Sequence, residues 1–124
     1  MSSSKKVLVI EDDDDILFVT SFILKENGYE VYESRSADVI NQLDTINPDL
    51  ILMDNVIKGV SGSELCKKLK SDPATSHYRI VLISAVFQLP QLAAECLADG
   101  YIEKPFDLTD FINKLKVFTM VEPG

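Results

Sequence analysis

Histidine and cysteine are nearly missing from this chain, which has one histidine, His77, and two cysteines, Cys66 and Cys96. Both thiols fall in helical apolar patterns without metal-ligand spacing, and a lone histidine cannot complete a cluster with them. Two reduced, largely buried thiols are therefore expected, not a zinc centre or a disulfide framework. Basic residues are scarce too, with 12 Lys and Arg against 20 Asp and Glu and a net charge of -8. That sign repels nucleic acid. No apolar run approaches the roughly 20 residues that span a bilayer, and Met1 to Lys6 lacks the apolar core of a signal peptide. The expectation is a soluble cytoplasmic protein with neither membrane nor nucleic-acid partners.

What remains is globular. The chain has 124 residues, of which 46% are hydrophobic and 26% charged, enough for one domain with a real core. Residues 5–119 are expected to form that domain, after a disordered N-terminus at 1–4 and before a tail at 120–124, with nothing left over for an effector domain.

The stretch Asp49 to Asp54 organises the rest. Leu50-Ile51-Leu52-Met53 lies between Pro48 and the Asn55 to Gly62 turn, and reads as a strand buried on both faces, as inside a parallel sheet. Val7-Leu8-Val9-Ile10 is a second such run, and it too ends in carboxylates, Glu11 and Asp12. A helix is expected from about Asp14 to Asn27, with Ile16, Val19, Phe22, Ile23 and Leu24 at helical spacing and a stop at Asn27-Gly28. A strand from Tyr29 to Glu33 precedes a helix from Ser36 to Thr45, capped by Ser36. Further helices are expected from Ser63 to Leu69, from Leu89 to Leu97 with Pro90 in its first turn, and from Asp107 to Phe118. Strands are expected at Tyr78 to Ile83 and Gly100 to Glu103. Such alternation argues for an α/β three-layer, doubly wound, flavodoxin-like fold with five parallel strands in the order 2-1-3-4-5 and five helices.

In that fold the strands end on one edge, so Glu11, Asp12, Asp54, Ser84 and Lys104 converge. Two unit charges about 4 Å apart at an effective dielectric of about 20 interact by roughly 4 kcal/mol. Three carboxylates in one crevice would repel strongly unless cations joined them. Lys104 is one, and a magnesium ion, which suits carboxylates, waters and a phosphate, would bring the formal sum to zero. A carboxylate balanced in this way can attack a phosphoryl group, because such transfer needs mainly positioning and charge neutralisation.

These residues resemble the response-regulator receiver domains of two-component signalling. The resemblance runs from about Lys5 to Phe118 and rests on four features in order: the acidic pair after the first strand, Asp54 followed by Gly62, the Ser84-Ala85 pair, and Lys104-Pro105-Phe106. It implies that Asp54 is the phosphoacceptor. It further implies that Mg²⁺ is held by Asp12, Asp54 and the backbone carbonyl of Val56, with Glu11 acting through water, and that Ser84 and Lys104 bind the phosphate. Ser84 and Tyr101 would form the switch, read out on the face of the fourth helix, fifth strand and fifth helix. A histidine kinase or phosphotransfer protein would supply the phosphoryl group and an unknown protein would receive the signal, the domain being a monomer or weak dimer and no turnover enzyme.

Several positions depart from the family pattern. Lys58 stands where proline is usual, which predicts a less constrained loop after Asp54. Val56 and Val86 flank the path of the attacking water and cannot orient it, predicting slow loss of phosphate. The interval from Ser84 to Lys104 is short, predicting a short or displaced fourth helix, and Phe87, Leu89 and Leu92 either pack on the sheet or form a contact surface. Asp13, Asp14 and Asp15 read as a solvated helix start, and His77 as an exposed loop residue. Alternative readings are a receiver-like interaction module without phosphorylation, a flavodoxin-like electron carrier and a Mg-dependent phosphohydrolase with an aspartyl nucleophile. The carrier would need a hydroxyl- and glycine-rich phosphate loop where this chain has acids. The hydrolase normally has a second aspartate where Val56 stands.

Overall fold

The computed structural model describes residues 5–86, 88–104 and 106–119. Five parallel strands form the sheet: β1 (Lys6–Ile10), β2 (Glu30–Ser34), β3 (Leu50–Asp54), β6 (Ile80–Ser84) and β7 (Gly100–Glu103). The missing numbers belong to a small hairpin, β4 (Val56–Ile57) and β5 (Val60–Ser61). The order β2-β1-β3-β6-β7 is the expected 2-1-3-4-5 with the hairpin counted.

The central strands are buried on both faces, and their alternation divides the core in two. Leu8, Ile10, Ile51, Met53, Ile80 and Leu82 pack on one side with α3 (Gly62–Ser71) and α4 (Leu89–Glu95). Val7, Val9, Leu50, Leu52, Val81 and Ile83 pack on the other with α1 (Asp14–Glu26) and α5 (Leu108–Thr119). A period of two on a sheet covered by helices on both faces requires apolar residues at every position, which is why the strands read as unbroken runs.

Helix ends follow local chemistry. Asp13 caps α1 by accepting from Ile16 N–H at 3.0 Å, and Asp107 accepts from Asp110 N–H at 3.1 Å at the start of α5. Gly28, at φ 89°, closes α1 in the left-handed region that glycine tolerates.

Three expectations are corrected. The Ser36 to Thr45 helix is mostly a 3₁₀ helix, Ala37–Gln42, followed by one turn of α2 (Leu43–Ile46). Ala37, Ile40, Leu43 and Ile46 recur every third residue against the core, and a helix with three residues per turn keeps them in line. In α1 the buried stripe is Leu17, Thr20, Ser21 and Leu24, while Phe18, Val19 and Phe22 are exposed. Small polar residues face the sheet there and aromatic rings face out, which inverts the expected side for Val19 and Phe22. The segment after Asp54, expected as a loop, is a two-stranded hairpin with Val56 opposite Ser61 and Ile57 opposite Val60. α4 is short, as expected, at seven residues. Leu89 is fully buried in the core and Leu92 half-buried, whereas Phe87 lies outside the described residues. Cys66 and Cys96 are free and buried, burial pushes the Cys66 thiol up, and His77 is exposed. Among the described residues no helix is long and apolar enough to cross a membrane.

Candidate functional site

Glu11, Asp12, Asp54, Ser84 and Lys104 each sit at or just beyond a strand end. Ile10 hands on to Glu11, whose N–H donates to Ser34 O at 3.0 Å and so stays tied to the sheet. Asp54 and Ser84 are the last residues of β3 and β6. Lys104 follows β7, its N–H donating to Ser84 O at 2.9 Å. Register does the rest: Ile10 lies opposite Met53, Asp54 opposite Ile83 and Ser84 opposite Glu103. Residues up to 93 positions apart in the chain thereby meet in one crevice.

Glu11, Asp12 and Asp54 each offer a carboxylate oxygen, all within 4.8 Å of one another. Lys104 Nζ bridges two of them, donating to Glu11 Oε1 at 3.1 Å and to Asp54 Oδ1 at 3.3 Å. Asp12 stays outside that bridge and accepts from Lys58 N–H at 2.8 Å. Asp13 N–H donates to Glu11 Oε2 at 3.2 Å. Glu11 is buried, and burial pushes its carboxyl above the ordinary range against the opposing effects of the Asp13 N–H and Lys104, while the Asp54 charge pushes it further up. One ammonium among three carboxylates leaves the site short of positive charge. Hard oxygen donors at this spacing fit a small divalent cation.

Ser84 is buried, and its Oγ accepts from Val86 N–H at 3.3 Å. Tyr101 is half-buried, with Lys114 Nζ of α5 at 5.9 Å from its ring centroid. Val56 and Val86, expected to tune hydrolysis, are exposed at 55% and 38%, so solvent reaches both.

The family model of the response regulator receiver domain matches residues 7–116. The chain belongs to that family. Receiver domains accept phosphate from histidine kinases onto an aspartate and bind Mg²⁺ at an acidic pocket. This receiver domain is 33% identical over 116 residues to the phosphate regulon transcriptional regulatory protein PhoB of Escherichia coli, a match that covers 91% of this chain and 51% of the relative. The chain thus spans about half the length of the curated relatives it matches. Among solved structures, a CheY-like receiver domain protein from Methanospirillum hungatei superposes with a TM-score of 0.81 at 26% identity, covering 93% of each chain. The response regulator TrrA of Thermotoga maritima, solved in complex with Mg²⁺-BeF, shares the fold at a TM-score of 0.81 and 24% identity, covering 92% of this chain and 98% of its own.

Two supporting residues have roles that sequence reasoning missed. Gly62 N–H donates to Asn55 O at 2.6 Å, and a Cβ at Gly62 would overlap the Asp54 carbonyl oxygen. Asn55 Oδ1 accepts from Ser63 N–H at 3.1 Å, tying the residue after Asp54 to the start of α3. Spacing alone flagged Gly62, and its reason, a backbone crossing, has no local signature.

Proposed function

We propose that this receiver domain accepts a phosphoryl group on Asp54 from a phosphohistidine and signals by protein contact. The observation that carries the reading is the Glu11, Asp12 and Asp54 cluster bridged by Lys104. An Asp54 carboxylate oxygen attacks phosphorus, the nitrogen–phosphorus bond breaks, and the imidazole leaves with its electron pair and takes a proton. Asp12, Asp54 and the Val56 carbonyl would hold Mg²⁺, with Glu11 acting through water, and the ion would neutralise charge on the transferring oxygens. Lys104 pairs with Asp54 before transfer and with the phosphate after it. Ser84 releases Val86 N–H and donates to a phosphoryl oxygen, Tyr101 turns into the space vacated, and the change reaches the α4, β7 and α5 face.

The test is direct. With Mg²⁺ and acetyl phosphate the wild type should form a base-labile adduct, and Asp54→Ala should form none. An adduct that survives the substitution sinks the assignment. Slow loss of phosphate is supported by apolar side chains at Val56 and Val86, which cannot hold the attacking water. Val56→Asn should speed the decay, and an unchanged rate would count against this role.

Exposed apolar surface next to the site suits a protein donor. Phe18 and Phe22 are stacked on α1 with ring centroids 6.4 Å apart. A groove of about 450 Å³ runs from Ile16, Val19 and Thr20 to Lys104 and Phe106. Replacing both Phe18 and Phe22 by Ala should slow transfer from a phosphohistidine protein far more than from acetyl phosphate.

A further inference from the structure

The hairpin after Asp54 turns on Lys58 and Gly59, both left-handed, at φ 49° and 84°. A two-residue hairpin turn of this hand demands positive φ at both central positions, which glycine meets without strain and lysine does not. The register, Val56 opposite Ser61 and Ile57 opposite Val60, leaves no slack. Ile57 is fully buried, and Asn55 closes the foot of the hairpin through Gly62 and Ser63. This frame aims the Lys58 N–H at Asp12 Oδ2, at 2.8 Å. Backbone strain retained beside a charged cluster points to a role for the group it presents.

We propose that Lys58 is a positioning residue: through its strained backbone, and not its side chain, it holds one oxygen of Asp12 and so orients that carboxylate for a divalent cation shared with Glu11 and Asp54. The role rests on the cation reading above. Proline, lacking an N–H and confined to negative φ, cannot perform it. The residue is thus specialised for an arrangement that a proline-bearing loop must achieve in another way.

Four variants, each without the lysine charge, separate backbone from electrostatics: Lys58→Gly and Lys58→Asn tolerate the left-handed conformation, whereas Lys58→Val and Lys58→Pro resist it. Their Mg²⁺ affinities would be read by calorimetry, with amide NMR spectra reporting the fold. Outer-sphere partners of metal ligands are worth about 10- to 100-fold in affinity, so Pro should bind at least about 10-fold more weakly than Gly, with Val between them and Asn beside Gly. In Asp12→Ala the Lys58 amide resonance should move upfield while those of Ile57 and Val60 hold. Equal affinity in folded Pro and Gly variants overturns the proposal, and if Pro does not fold, equal affinity in Val and Asn does so. A different pattern marks failure of the cation reading itself. The wild type would then take up no Mg²⁺ although the Lys58 amide still responds to Asp12→Ala, and the role falls with that reading.

Discussion

The two edges of the sheet use the same residue types for opposite ends. At the amino edge two carboxylates meet strand N–H groups: Asp49 Oδ2 accepts from Lys6 N–H and Asp99 Oδ2 from Ile80 N–H, both at 2.8 Å. Lys70 pairs with Asp99 at 2.6 Å. Strand starts present unpaired donors, so an acid there completes the backbone bonding. Strand ends present carbonyls, which offer an acid nothing. Glu11, Asp12 and Asp54 nevertheless gather at that edge around one ammonium, held by Lys104 and two loop N–H groups. Carboxylates at the first edge stabilise the fold, whereas those at the second are kept short of positive partners that an added cation can supply.

The largest expected effect probes how rigidly each edge is built. Gly62 abuts the Asp54 carbonyl, whereas Gly100, at the start of β7, abuts the far end of the Phe118 ring. Backbone cannot yield as a ring can, so Gly62→Ala should cost about 3 kcal/mol or more in urea unfolding, and Gly100→Ala about 1–2 kcal/mol. Equal costs would show the carboxyl edge to be as compliant as the amino edge.

Removing an acid should change stability in opposite directions at the two edges. Asp99→Ala takes partners from both Ile80 N–H and Lys70 and should lower unfolding free energy by about 1–2 kcal/mol, discounted for partial exposure. Asp54→Ala relieves repulsion while Lys104 keeps Glu11, and should raise stability by about 1 kcal/mol without Mg²⁺. A destabilised Asp54→Ala protein would erase the distinction between edges.

Legibility in the sequence divides along the same line. The convergence of Glu11, Asp12, Asp54, Ser84 and Lys104 could be read because parallel topology carries every strand end to one edge, and apolar runs mark those ends. The amino-edge roles of Asp49 and Asp99 could not, since a single acid near a strand start has no pattern of its own. The hairpin escaped notice because Lys58 contradicts the turn preference that its neighbour Gly59 satisfies. Outward-facing Val19 and Phe22 misled the reading of α1: apolar periodicity points to a core unless surface is reserved for another molecule, and Thr20 and Ser21 occupy the buried stripe instead.

The smallest expected effect is a pH dependence confined to the carboxyl edge. Burial, joined by the Asp54 charge, holds the Glu11 carboxyl above its unfolded value, so the folded state binds the proton more tightly. Its contribution to stability is therefore fully present below the unfolded pKa, near 4.5, and is lost as pH rises through the higher folded value. Unfolding free energies of wild type and Glu11→Gln, measured from acid to neutral pH without Mg²⁺, should diverge in that window, with the wild type losing ground as pH rises. Asp54→Ala should narrow the window, because it removes one of the charges that push Glu11 up. Saturating Mg²⁺, which favours ionised Glu11, should oppose the wild-type loss, whereas a divergence unaffected by either change would mean that burial alone sets the Glu11 titration and that the three carboxylates do not act as one site.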